Sequence, residues 1–149
     1  MTGTTQWNTA IEKAIGMAEN SLSKITDATD EELVEIIGVL AKGAGVSVEF
    51  AHDAVAYNRL TAIQDAVYRE LRSRGPEAPR KIVKLLRHED VFARLCGATL
   101  GMEFAPDQAE KALESIESRP EANARIAAFR VLRLWRSGEL KFPLPQHAV

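Results

Sequence analysis

The chain has 149 residues, 46% of them hydrophobic, which is enough apolar material for one closed core without staples. Nineteen basic and 21 acidic side chains leave a net charge of −2, which excludes a strongly basic polyanion binder and an acidic disordered chain. A single cysteine, Cys96, rules out an internal disulfide, no apolar run approaches the roughly 20 residues of a membrane span, and the opening MTGTTQWNTAIEKA lacks the basic and apolar regions of a signal peptide. A cytoplasmic location is therefore expected.

Trp7, Ile11, Ala14, Ile15, Ala18 and Leu22 recur at steps of three and four, which predicts a first amphipathic helix. Thr29 and Glu32 have capping-box spacing ahead of a second helix striped by Leu33, Ile36, Ile37 and Leu40, and Gly43 and Gly45 are expected to end it. Ser47 is the expected cap of a third helix, striped by Ala56, Leu60, Ile63, Val67 and Leu71. Its basic end, Arg69, Arg72 and Arg74, suits the helix dipole. No strand pattern of useful length is present, so the fold class is all-α, with about seven helices.

Beyond Gly75 the chain repeats with a period of 31 residues. Segments 75–104 and 106–135 align Ala78 with Ala109, Ile82 with Leu113, Leu85 with Ile116, Ala93 with Ala124, Arg94 with Arg125, Leu95 with Ile126, Gly97 with Ala128, Leu100 with Val131 and Phe104 with Trp135. Each copy reads as a helical hairpin, with Pro76, Pro106 and Pro120 at expected helix starts. Gly97 weakens its own helix, so a close approach of another segment is expected there. The organisation expected is one helical-repeat domain over 1–149: capping helices in 1–74, repeats at 75–104 and 106–135, and a tail at 136–149. Asp90 and Glu121 stand four residues ahead of Arg94 and Arg125, acid-then-base pairs read as structural.

These residues resemble the HEAT and armadillo class, whose second helix typically opens as Asp90-Val91-Phe92-Ala93-Arg94-Leu95-Cys96-Gly97-Ala98 does. More closely, the chain resembles a small bacterial family of HEAT-like domains without an assigned function. The resemblance is carried by Asn58-Arg59-Leu60, Glu70-Leu71 with Arg74-Gly75, Leu85-Leu86 with His88, Ala105-Pro106 with Ala109, and Leu132 with Trp135, Gly138 and Pro143, across about residues 30–143. It implies a short α-α superhelix and protein binding, and it brings no catalytic residue. With only two clear repeats, a large curved groove is not expected.

Candidate chemistry is sparse. Glu49-Phe50-Ala51-His52 has the E-x-x-H spacing of di-iron bundles, but neither His88 nor His147 has a glutamate three residues before it, so His52 reads as a surface or helix-entry residue and no metal is expected. Gly43-Ala44-Gly45-Val46-Ser47 follows a helix and lacks the lysine of a phosphate loop, and reads as a flexible connection. Cys96 reads as a core filler, with His88 too uncertainly placed to act as its base. No cofactor and no catalytic residue are expected.

Charge separates along the chain: residues 1–50 carry a net −5 and 51–149 a net +3. The acids Asp27, Asp30, Glu31, Glu32 and Glu35 cluster where the second helix begins, which capping and the dipole explain. On the last helix Asn123, Arg130, Arg133 and Arg136 are the polar positions left when Ala124, Ala128, Val131 and Trp135 face a neighbour. The expected function is a non-enzymatic protein-binding module with a partner of acidic surface docking near residues 92–103 and 123–136; Phe92, Glu103, Asn123, Arg130, Arg133 and Arg136 are the contact candidates. An immunity protein occluding a bacterial toxin is its sharpest form. The alternatives are weak nucleic-acid binding through Arg130, Arg133, Arg136 and Arg119, and self-assembly through an apolar end at Leu140, Phe142 and Leu144.

Overall fold

The computed structural model describes residues 2–144, with side chains from Trp7 onward, and every regular element within them is helical. In order these are α1 (Thr2–Leu22), α2 (Asp30–Val46), a π-helical turn (Ser47–Ala51), α3 (Ala54–Ser73), a 3-10 segment (Pro79–Arg87), α4 (Val91–Gly101), α5 (Pro106–Ile116) and α6 (Ala122–Arg136). The all-helical architecture is the one that periodicity predicts. No helix among the described residues is long and apolar enough to cross a membrane.

Contacts group the chain into two compact units, Met1–Lys81 and Ile82–Val149, with the boundary inside the segment 75–104 expected to form the first repeat. In the first unit α1, α2 and α3 pack on one another, joined by the π turn. Ile11, Ala14 and Ala18 of α1, Leu33, Ile37 and Leu40 of α2, and Leu60, Val67 and Leu71 of α3 are buried, as their stripes predict. Thr29 caps α2: its Oγ1 accepts the Glu32 N–H at 3.1 Å and donates to Glu32 Oε1 at 3.2 Å.

The end of α2 differs from expectation. Gly43 and Gly45 do not stop it; α2 runs to Val46 and continues into the π turn, so this segment is not a flexible connection. Gly43 is there for space, since a Cβ on it would stand 2.8 Å from Ala14 Cβ and 3.2 Å from a Leu60 methyl. Ser47 does not cap α3; it is buried and donates back to the Gly43 carbonyl at 2.8 Å. The cap is Asp53, whose Oδ1 accepts the Ala56 N–H at 3.0 Å. A hydroxyl can bond its own helix as readily as the next one, and in a buried setting it must bond something.

Arg74 reaches back from the end of α3 rather than serving the dipole. It donates to the carbonyls of Ala28 (2.7 Å) and Ile25 (2.9 Å), to Asp30 Oδ1 (3.0 Å) and to Glu70 Oε1 (3.3 Å). Lys81 adds 3.0 Å bonds to Asp30 Oδ2 and Glu31 Oε1. Part of the acidic cluster at the start of α2 is thus an anchor for the end of α3.

In the second unit α4, α5 and α6 contact one another. The first hairpin was expected to open with an α-helix at Pro76; instead a 3-10 segment begins at Pro79, and Pro79, Ile82 and Leu85, three apart, form its buried face. A period of three suits 3.0 residues per turn. Pro106 holds the expected N1 position of α5, whereas Pro120 lies before the Glu121 N-cap of α6. Leu85 presses on α4 where Gly97 leaves room: a Cβ at Gly97 would lie 2.5 Å from Leu85 Cβ and 3.0 Å from its carbonyl carbon.

Candidate functional site

α6 has apolar residues on two sides. Ala124, Ala128, Val131 and Leu132 are buried against the unit, with Trp135 half-buried. On the opposite side Ile126 is 56% and Phe129 59% exposed, values usual for polar residues and not for large apolar ones. With Arg130 and Arg133, also exposed, they stand at i, i+3, i+4 and i+7, one continuous stripe facing solvent. Ile126, aligned with Leu95 of the preceding copy, is therefore not a core position.

α6 carries four arginines and no carboxylate, and the four have different tasks. Arg125 donates to the carbonyls of Arg119 (3.0 Å) and Pro120 (3.1 Å), locking the turn before the helix. Arg136, a candidate contact residue, instead ties α6 to α5 through Glu110 Oε1 (3.0 Å) and Glu114 Oε1 (3.2 Å). Arg130 and Arg133 have no ion-pair or hydrogen-bond partner among the described residues. A depression of about 390 Å³ beside them is lined by Glu117, Phe129, Leu132, Arg133, Arg136 and Ser137.

The other candidates fare differently. Phe92 is 7% exposed and α4 buries most of its length, so of the expected contact residues Phe92 offers a partner almost no surface. Glu103 is half-buried; Asn123 is exposed on the first turn of α6. The acid-then-base pairs do not form as i,i+4 bridges. Asp90 is the N-cap of α4, accepting the Ala93 N–H at 3.0 Å, and Arg94 donates to the carbonyls of His88 and Glu89, both at 2.8 Å. Arg125 makes the same pair of bonds, to residues six and five before it. Glu121 takes a two-pronged bond from Arg119, at 3.0 and 2.9 Å, which holds its carboxyl below the usual glutamate range.

Glu49 and His52 share no helix face, because His52 leaves the π turn with φ of +52°, in the left-handed region, and is exposed. His88 Nδ1 accepts the Asp90 N–H at 2.9 Å, within its own turn. Cys96 is half-buried rather than a full core filler. Leu140, Phe142 and Leu144 are half-buried, so they do not make an open apolar end; His147 lies outside the described residues. Sequence reasoning missed Ile126 and Phe129, since helical spacing shows that they lie off the Ala124, Ala128, Val131 stripe but does not show whether a neighbour covers them.

No curated protein matches the chain. Its fold is similar to that of the crystal structure of the protein RPA1889 from Rhodopseudomonas palustris CGA009, with a TM-score of 0.72, 22% identity, and coverage of 78% of this chain and 96% of that one. A domain family described as a domain of unknown function, DUF2019, matches residues 31–135, which span α2 through nearly all of α6. The chain belongs to the DUF2019 family.

Proposed function

We propose that this protein is a non-enzymatic, cytoplasmic protein-binding module of HEAT-like character that docks its partner through the outward side of α6. The observation that carries the reading is the pairing of two exposed large apolar side chains, Ile126 and Phe129, with two arginines that the fold leaves unused. Aromatic residues and arginine are the side chains most enriched where binding energy concentrates at interfaces. The matching bonds of Arg94 and Arg125, 31 residues apart, support the repeat reading.

In its sharpest form the module is an immunity protein that occludes a toxin sterically and electrostatically. The test is coexpression with the products of neighbouring genes. A stoichiometric complex lost on Arg130→Glu/Arg133→Glu is expected, and a panel yielding no complex would overturn the proposal. The nucleic-acid alternative loses ground, because Arg119 and Arg136 are already paired with carboxylates and two arginines make few phosphate contacts.

A further inference from the structure

We infer that what α6 receives is an acidic amphipathic helix of the partner protein, lying along Ile126, Phe129, Arg130 and Arg133. The inference rests on the protein-binding reading above and names the partner's chemistry.

Backbone bonding sets the shape of the occupant. The N–H and C=O groups of α6 are used within the helix, so its side offers nothing to the unpaired edge of an extended strand. A helix satisfies its own backbone and meets α6 through side chains alone. The stripe from Ile126 to Arg133 is about 10 Å long at 1.5 Å per residue, or two turns, the length over which an opposing helix presents its own i, i+3, i+4 and i+7 positions.

Charge sets the chemistry. A wholly apolar occupant would cover Arg130 and Arg133 without pairing them, and desolvating an unpaired guanidinium is costly. A carboxylate within reach offers the bidentate, charge-assisted geometry that arginine favours. A phosphate backbone would pair the arginines but leave Ile126 and Phe129 against a polar surface. Both halves of the patch are satisfied only by an element that is apolar along its centre and acidic at its margin. The neighbouring depression, lined by Phe129 and Leu132 together with Arg133, gives an apolar side chain of the occupant a place beside one of the two arginines.

The test pans a phage-displayed library of helix-forming peptides, randomised on one face, against the full chain. Expected are peptides with Leu, Ile or Phe at three- and four-residue spacing flanked by Asp or Glu. Their affinity, read by fluorescence anisotropy, should fall about tenfold or more with Phe129→Ser and with Arg130→Glu/Arg133→Glu. Replacing the peptide's acids by lysine should recover binding to the latter variant. These side chains are exposed, and unchanged circular dichroism confirms that the variants fold. Enriched peptides that need Phe129 but carry no acids, or ignore the arginine changes, overturn the acidic helix and leave protein binding standing. Failure to enrich any peptide that needs Phe129 overturns the inference, and if heparin or polyuridylate binding is then lost in the arginine variant, the protein-binding reading falls as well.

Discussion

Three glycines in helices make a matched experiment, because intrinsic helix propensity predicts one answer for all three and the structure predicts two. Gly→Ala in a helix interior stabilises by about 1 kcal/mol when nothing else changes. At Gly16 of α1 a Cβ meets nothing within 4 Å, so Gly16→Ala should realise that gain and raise Tm by about 2–4 °C for a chain of this size. At Gly97 the new Cβ would stand 2.5 Å from Leu85 Cβ, about 1 Å inside the 3.4–4 Å of ordinary contact, and 3.0 Å from a backbone carbon that no rotamer change can move. Overpacking of this kind costs about 1–3 kcal/mol, which exceeds the propensity gain over most of its range. Gly97→Ala should therefore lower Tm by several degrees, and Gly43→Ala, at 2.8 Å from Ala14 Cβ, should do so by a similar amount. Thermal unfolding followed by far-ultraviolet circular dichroism reads all three, and native-state hydrogen exchange should show the Gly97 loss concentrated in α4. If Gly97→Ala stabilised the protein as much as Gly16→Ala, the close approach of the 3-10 segment to α4 would be refuted.

Acid should weaken the unit Met1–Lys81. Bonds from Lys81, and for Asp30 also from Arg74, hold the Asp30 and Glu31 carboxyls below their ordinary range, so their contribution is complete above the unfolded pKa and is lost as pH falls through the folded one. Denaturant midpoints should fall between about pH 5 and pH 3, and less steeply in Lys81→Met. Conversely the Lys81 ammonium is held above its ordinary value, so its contribution persists through neutral pH and is lost only in strong alkali. Arg94→Ala and Arg125→Ala should each cost about 1–2 kcal/mol in urea unfolding, because in each a single guanidinium nitrogen, Nη1, donates to two carbonyls. Leu113→Ala, at a fully buried position of α5, should cost about 2–5 kcal/mol. Arg130→Ala should change stability by less than about 0.5 kcal/mol while weakening partner binding, the reverse of a structural arginine.

Much of the fold is legible from periodicity, because a buried helix face must repeat every 3.6 residues. The stripes of α1, α2 and α3 and the Thr29 cap emerge in this way, as does the Gly97 contact, since a glycine that weakens its helix implies a neighbour close by. Other features depend on which of two local options wins. Ser47 could cap forward or bond backward, and only its burial beside Gly43 decides for the second. Asp90 could pair with Arg94 or cap α4; the open N–H of Ala93 lies nearer than the guanidinium, which the preceding carbonyls already hold. Where an α-helix is expected from Pro76, the chain forms a 3-10 segment from Pro79, in which Pro79, Ile82 and Leu85 share a buried face at three residues per turn.

The candidate site shows the division most clearly. Composition and spacing place four arginines and two apolar stripes on the last helix, whichever way it packs. Which stripe is core, and which arginines are spare, follows from where the neighbours lie. α4 and α5 contact α6 on its alanine side, and Glu110 and Glu114 of α5 claim Arg136. Ile126, Phe129, Arg130 and Arg133 are left in water because a helix of this width has two sides and the unit covers one. Local sequence determines that a side chain can be buried or paired; only the arrival of a segment distant in the chain determines that it is.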